Sequence, residues 1–141
     1  MADLEGLIRL RRHTVEEKQK ILAEILREVE KLEQQKEDLY ERLKTEREAY
    51  EKSDMLETRE YYGRFEGVIR GNIEKINAEL ASLETRLNLA QEEVRSAFAD
   101  MKRVEIVDKN RKAEEQAEAN RKETIELDDI GVEGFRRKEE F

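Results

Sequence analysis

Residues that could do chemistry are sparse in this sequence. His13 is the only histidine, and it lies between Arg12 and Thr14. Cationic neighbours do not make a general base of it, and it has no cysteine and no second histidine to work with. It reads as an exposed helix residue. Asp128–Asp129 and Glu139–Glu140 are paired carboxylates. A catalytic pair needs a fixed separation and surroundings that push its two pKa values apart. These pairs fall on tail-like segments and read as solvated charge. Ser53, Ser82 and Ser96 have no base near them in sequence. The run GRFEGVIRG is glycine-bearing, but it lacks the Lys-Ser/Thr ending and the strand context of a phosphate loop. The absence of Cys excludes a disulfide frame, a thiol nucleophile and a zinc finger. One histidine also leaves no His pair for a metal. We therefore expect no enzyme, no metal and no cofactor.

The elements that would position any site follow from composition and spacing. Charged residues make up 45% of the 141 residues and hydrophobic ones 37%, with 28 Lys+Arg against 36 Asp+Glu and a net charge of −8. An average domain is about 25% charged. So charged a chain has too little apolar surface to fill an ordinary core. What remains is a long amphipathic helical assembly or disorder. Glycine occurs only at positions 6, 63, 67, 71, 131 and 134, and proline is absent. Residues 7–62 and 72–130 are thus uninterrupted and rich in strong helix formers.

Alternating steps of four and three resolve the choice. The first stretch reads Leu4, Ile8, Arg11, Val15, Lys18, Leu22, Ile25, Val29, Leu32, Lys36, Leu39, Leu43, Glu46, Tyr50. The second reads Tyr62, Glu66, Ile69, Ile73, Ile76, Leu80, Leu83, Leu87, Ala90, Val94, Ala97, Met101, Val104, Asp108. An apolar repeat of 3.5 residues over about seven heptads is a coiled-coil seam. Arg11, Lys18, Lys36 and Glu46 interrupt it. Their long side chains either snorkel out of the seam or fix its register.

The break lies near 51–58, where Ser53 or Asp54 could cap a second helix and Asp54–Glu57 has capping-box spacing. So short a connection makes the helices antiparallel. Folding there pairs Tyr50 with the region of Arg59, and Leu4 with the region of Glu105. Arms of about 48 residues would form a thin rod roughly 70 Å long. The expected fold is all-α: a two-helix antiparallel coiled coil over residues 1–107, with a charged extension over 108–141. In that extension Asp108–Lys112 and Glu118–Lys122 support a helix that frays in isolation. The glycines of GVEGFRRKEEF suggest a flexible tail, and Ile125, Leu127, Ile130 and Phe135 could dock on a partner. No apolar run approaches the roughly 18 residues of a membrane helix, and no secretory signal is visible.

Three features point to binding. Arg9-Leu10-Arg11-Arg12 is a basic patch on an acidic chain, read as solvated charge or as a contact for an acidic protein. Nucleic acid is not expected, since phosphate binding favours an overall basic balance. Gly63, Gly67 and Gly71 share one side of a helix at a cost of about 1 kcal/mol each. They read as a loose helix start or as a bare strip that another backbone approaches. Tyr61, Tyr62 and Phe65, with Tyr50, gather near the turn. They either plug the open end of the hairpin or anchor a partner.

The opening Leu4-x-x-Leu7-Ile8-Arg9-Leu10-Arg11-Arg12-His13, followed by Glu16-Glu17, resembles the start of the flagellar export protein FliJ family. Tyr62-x-x-Phe65, the Ile69/Ile73 spacing, Leu83, Val94-Arg95 and Lys102-Arg103-Val104-Glu105 are similar to its second helix. Leu127-Asp128-Asp129-Ile130 with Phe135-Arg136-Arg137 resembles its charged C-terminus. The glycine row is not part of that pattern. The resemblance implies a cytoplasmic, non-catalytic component of the bacterial flagellar type III export apparatus, peripherally associated with the inner membrane. It implies a stalk in the ring of the export ATPase hexamer, linked to the export gate membrane protein and to export chaperones. On that reading Arg9, Arg11, Arg12, Lys102, Arg103, Arg111 and Lys112 meet acidic pore loops of the ATPase. Tyr61, Tyr62, Phe65, Gly63, Gly67 and Gly71 are then left for the gate or chaperones. An injectisome stalk would share the fold, and a generic coiled-coil scaffold would pair its seams between chains.

Overall fold

A computed structural model describes residues 4–53 and 55–139. They form a helical hairpin of α1 (Glu5–Glu51) and α2 (Leu56–Glu139). The N-terminus of α1 starts with the Ile8 N–H donating to the Leu4 carbonyl at 2.9 Å. Glu5 and Glu57 stand in the first turns, and Arg136, Arg137 and Lys138 in the last turn of α2. Those charges complement the helix dipole at three of the four ends. The exception is the end of α1, where no cation stands in the last turn.

Ser53 organises the turn. Its N–H donates to the Tyr50 carbonyl at 3.1 Å. Its Oγ accepts the Met55 N–H at 3.4 Å and bonds the Thr58 hydroxyl at 3.2 Å. The Arg59 N–H then donates to the Met55 carbonyl at 3.3 Å, opening α2. Met55, whose carbonyl takes that first bond, stands at the N-cap, so Ser53 does not cap α2 itself but holds the N–H of the residue that does; Asp54 lies outside the described residues.

One compact unit spans residues 14–97. Its core is the seam that the four-three spacing traces. Ile25, Leu32, Leu83 and Ala90 are buried, with Leu22, Val29, Ile76, Leu80 and Leu87 packed on them. Nearer the turn, Leu43, Ile69 and Ile73 are buried against Leu39 and Phe65. Lys18, Lys36, Glu46 and Glu66 lie in the seam half-buried, a position from which a long side chain can carry its charge to the edge of the seam. Lys18 Nζ crosses to Glu93 Oε2 at 3.1 Å. Here the polar interruption makes a bond between helices.

The second unit comprises residues 4–13 with 98–139. Met101 is buried, and Leu4, Ile8, Arg11, Val104 and Asp108 are half-buried. Residues 109–139 are exposed throughout. Their helix rests on local pairs. Lys112 bonds Asp108 at 3.0 Å, Arg121 bonds Glu118 at 2.8 Å, and Gln116 bonds Asn120 at 3.0 Å. The Asp108–Lys112 pair is the expected one, whereas Glu118 takes Arg121 in place of Lys122. The sequence suggests a flexible tail from Gly131. The backbone is helical across Gly131 and Gly134 to Glu139, with no glycine at positive φ. The cations of the last turn favour that continuation.

Local register differs from the expected pairing. Tyr62, one turn beyond Arg59, meets Tyr50. Glu105 meets Arg12 in place of the Leu4 region. Periodicity identifies the buried face, but the turn geometry and side-chain reach set which residues meet across it.

Candidate partner-binding surfaces

The basic residues of the terminal segments fall in the unit of residues 4–13 and 98–139. Glu105 is their hub. It accepts Arg12 Nη2 at 3.3 Å and Lys102 Nζ at 3.2 Å. Lys102 chiefly, and Arg12 with it, holds the Glu105 carboxyl below its ordinary range. Arg103 pairs with Asp100 at 2.9 Å. Lys112 bridges Asp108 and reaches Glu5 at 3.9 Å. Glu5, Ile8, Arg9, Arg12, Asp108 and Lys112 line one shallow depression. Arg9 and Arg111 are exposed and carry no ion pair among the described residues.

Arg11 differs from the other six cations. It occupies a seam position, half-buried, and its Nε is buried with no hydrogen-bond acceptor. Its role is in the packing between the helices as much as at the surface. Exposed ion pairs of the Arg12–Glu105 kind are worth about 0–1 kcal/mol each. They orient the cations without committing them, so an acidic partner can take them over.

The aromatic residues near the turn divide. Tyr62 stacks on Tyr50 across the helices at 4.8 Å with the rings 14° apart. Phe65 packs on the Leu43–Ile69–Ile73 cluster, and the Arg42 guanidinium sits over its ring at 5.7 Å. These two rings serve the hairpin. Tyr61 lies beside Phe65 at 6.2 Å but is 55% exposed. The spacing did not single out Val68, Met55 and Leu56, which are exposed nearby. Their signal was available: each is apolar and lies off the four-three series.

Gly63 and Gly67 are exposed and Gly71 is half-buried. All three are helical, and none has a positive φ. A Cβ built at any of them would meet nothing within 4 Å. Neither backbone conformation nor packing inside the chain therefore requires glycine there. His13 and the Asp128–Asp129 pair are exposed on their helices, and Glu140 of the second carboxylate pair lies outside the described residues. Among the described residues, no helix is long and apolar enough to cross a membrane.

Comparison with known proteins adds one match. The family model described as "Flagellar FliJ protein" matches residues 1–140. No curated protein and no solved structure matches the chain.

Proposed function

This chain belongs to the flagellar FliJ family and is a component of the flagellar export apparatus, and from that premise we propose that it is a non-enzymatic stalk. In this reading it binds the export ATPase ring, promotes the assembly and activity of that ring, and links it to the export gate and to export chaperones. It works on the cytoplasmic side, held peripherally at the inner membrane. The observation that carries the reading is the family match along residues 1–140.

The terminal cations support the ATPase contact. Arg9 and Arg111 offer charge that no ion pair among the described residues has claimed. The side chains of Arg12, Lys102, Arg103 and Lys112 are 64%, 51%, 75% and 58% exposed, so acidic pore loops can compete for them. Arg11 contributes from within the seam. Near the turn, Tyr61 and the strip of Gly63, Gly67 and Gly71 are the accessible features for the gate or a chaperone. Tyr62 and Phe65 support that surface from below.

The test is ATP hydrolysis and particle mass of the same cell's export ATPase, with and without this chain. Substoichiometric chain is expected to raise hydrolysis and shift the ATPase to hexamers. The double variant Arg9→Glu with Arg111→Glu is expected to lose that effect while its thermal melt stays unchanged. An active ATPase that responds to the wild-type chain in neither assay overturns the reading. The protein would then be a coiled-coil adaptor for another partner.

A further inference from the structure

The charge of the terminal segments is sorted to one flank. At about 100° per residue, Lys102, Lys109 and Lys112 fall with Glu105 within an arc of roughly 80° on α2. On α1, Arg9 and Arg12 fall with Glu5 within roughly 60°. The Arg12–Glu105 and Lys112–Glu5 ion pairs, at 3.3 Å and 3.9 Å, run between the two arcs. Both arcs therefore lie on the same flank of the seam. It carries five cations against two carboxylates, on a chain whose net charge is −8. The next charges at these spacings in sequence, Glu16 and Arg95, cancel. Farther along α2 the arc holds Gln116 and Asn120, while Glu114, Glu115 and Glu118 fall outside it. Leu7, Leu10, Val107, Asn110 and the Asp100–Arg103 pair lie roughly 120–180° from the middle of their helix's arc, on the other flank. The depression lined by Arg9, Arg12 and Lys112 opens on the charged flank.

We infer that the acidic partner of these segments docks on this flank alone, and that Lys109, at its edge, is one of the contacts. The occupant is a protein segment with a row of carboxylates spread over about 15 Å, the axial reach from Lys102 to Lys112. Glu5 and Glu105 hold Arg12, Lys102 and Lys112 in place, and exposed pairs of that kind are weak enough to exchange. Arg9 and Lys109 are exposed and carry no ion pair among the described residues. They add attraction without giving up a bond. A lipid surface does not fit this arrangement. A peripheral anchor sets apolar residues beside its cations, whereas Leu7, Leu10 and Val107 lie on the other flank. Phe98 falls within the charged arc, but Lys102 stands over its ring at 5.3 Å. The inference rests on the proposed ATPase contact and narrows it to one side of these segments.

The test measures the concentration of full chain that half-maximally raises hydrolysis by the same cell's export ATPase. Lys109→Gln should raise that concentration about threefold, and Lys109→Glu about tenfold. Lys109→Arg should keep the wild-type value. Asn110→Glu changes the net charge as much as Lys109→Gln does, but on the other flank. It should leave the value within about twofold. Rising salt should weaken the wild-type response and shrink the Lys109 effect. Thermal melts of these variants should match wild type, since both side chains are exposed. Lys109 variants equal to wild type, or Asn110→Glu as harmful as Lys109→Gln, overturn the inference and leave the ATPase reading standing. The same holds if Lys109 governs binding to phosphatidylglycerol vesicles or duplex DNA but has no effect on hydrolysis. An active ATPase that ignores the wild-type chain overturns both.

Discussion

Replacing the glycine row by alanine should stabilise this protein. Gly63, Gly67 and Gly71 lie inside α2, and an alanine Cβ at each would meet nothing within 4 Å. No clash therefore offsets the gain in helix propensity, which is about 1 kcal/mol per Gly→Ala replacement. Part of that gain comes from the unfolded chain, which has fewer states to lose. For a chain of 141 residues, 1 kcal/mol corresponds to a rise in Tm of about 3–5 °C. The single variants Gly63→Ala and Gly67→Ala should each show that rise. The triple variant should gain about 2–3 kcal/mol, with some departure from additivity because the sites are one turn apart. Thermal and urea melts followed by far-UV circular dichroism read both quantities. A triple variant whose midpoint is unchanged or lower would refute the reasoning. It would mean that the row is not helical in the folded chain, or that something packs against it. The same variants bear on function. If the stabilised triple variant fails to bind the gate or a chaperone, the bare strip is what those partners need, an exchange of stability for function.

Three further outcomes are expected. Leu83→Ala and Ile69→Ala each remove a side chain no more than 4% exposed. Each should cost about 2–5 kcal/mol, measured as a lower urea midpoint, because a two-helix seam has little else to fill the gap. A double-mutant cycle on Tyr50→Ala and Tyr62→Ala should return a coupling of about 0.5–1.5 kcal/mol from the stacked rings. Glu105 should titrate below its ordinary value near 4.5, as read by carboxyl NMR. Because the folded-state value is the lower one, Glu105 stabilises the fold fully above the unfolded value. That contribution is lost as pH falls through the folded value. The stability difference between wild type and Glu105→Gln should therefore shrink on acidification below about pH 4.5.

The seam was legible residue by residue. Every member of both four-three series is buried or half-buried, including Arg11, Lys18, Lys36, Glu46, Glu66 and Asp108. That works because a side chain's angular position on a helix depends only on its place in the sequence. The turn was legible for a similar reason: Ser53 competes locally with the helix for backbone hydrogen bonds. The candidate surfaces were less so. Tyr61, Tyr62 and Phe65 look alike in sequence, yet two serve the hairpin and one faces solvent. Among the basic residues the spacing set Arg11 apart as a seam member, but it did not say that Arg12 and Lys102 would meet at Glu105 while Arg9 carries no ion pair among the described residues.

The sequence by itself determined that this chain is helical, which faces of its helices are apolar, and where it reverses. Those properties rest on propensity and spacing, which act over one or two turns. Tertiary structure decided that Tyr62 stacks on Tyr50, that Lys18 reaches Glu93, and that Arg12 and Lys102 share Glu105. All but the Lys102–Glu105 pair, which is local to α2, join residues of different helices. A repeat of 3.5 residues is satisfied equally well after a slip of one heptad, so spacing cannot choose among registers. The turn at Ser53 and the fit of particular rings and charges make that choice.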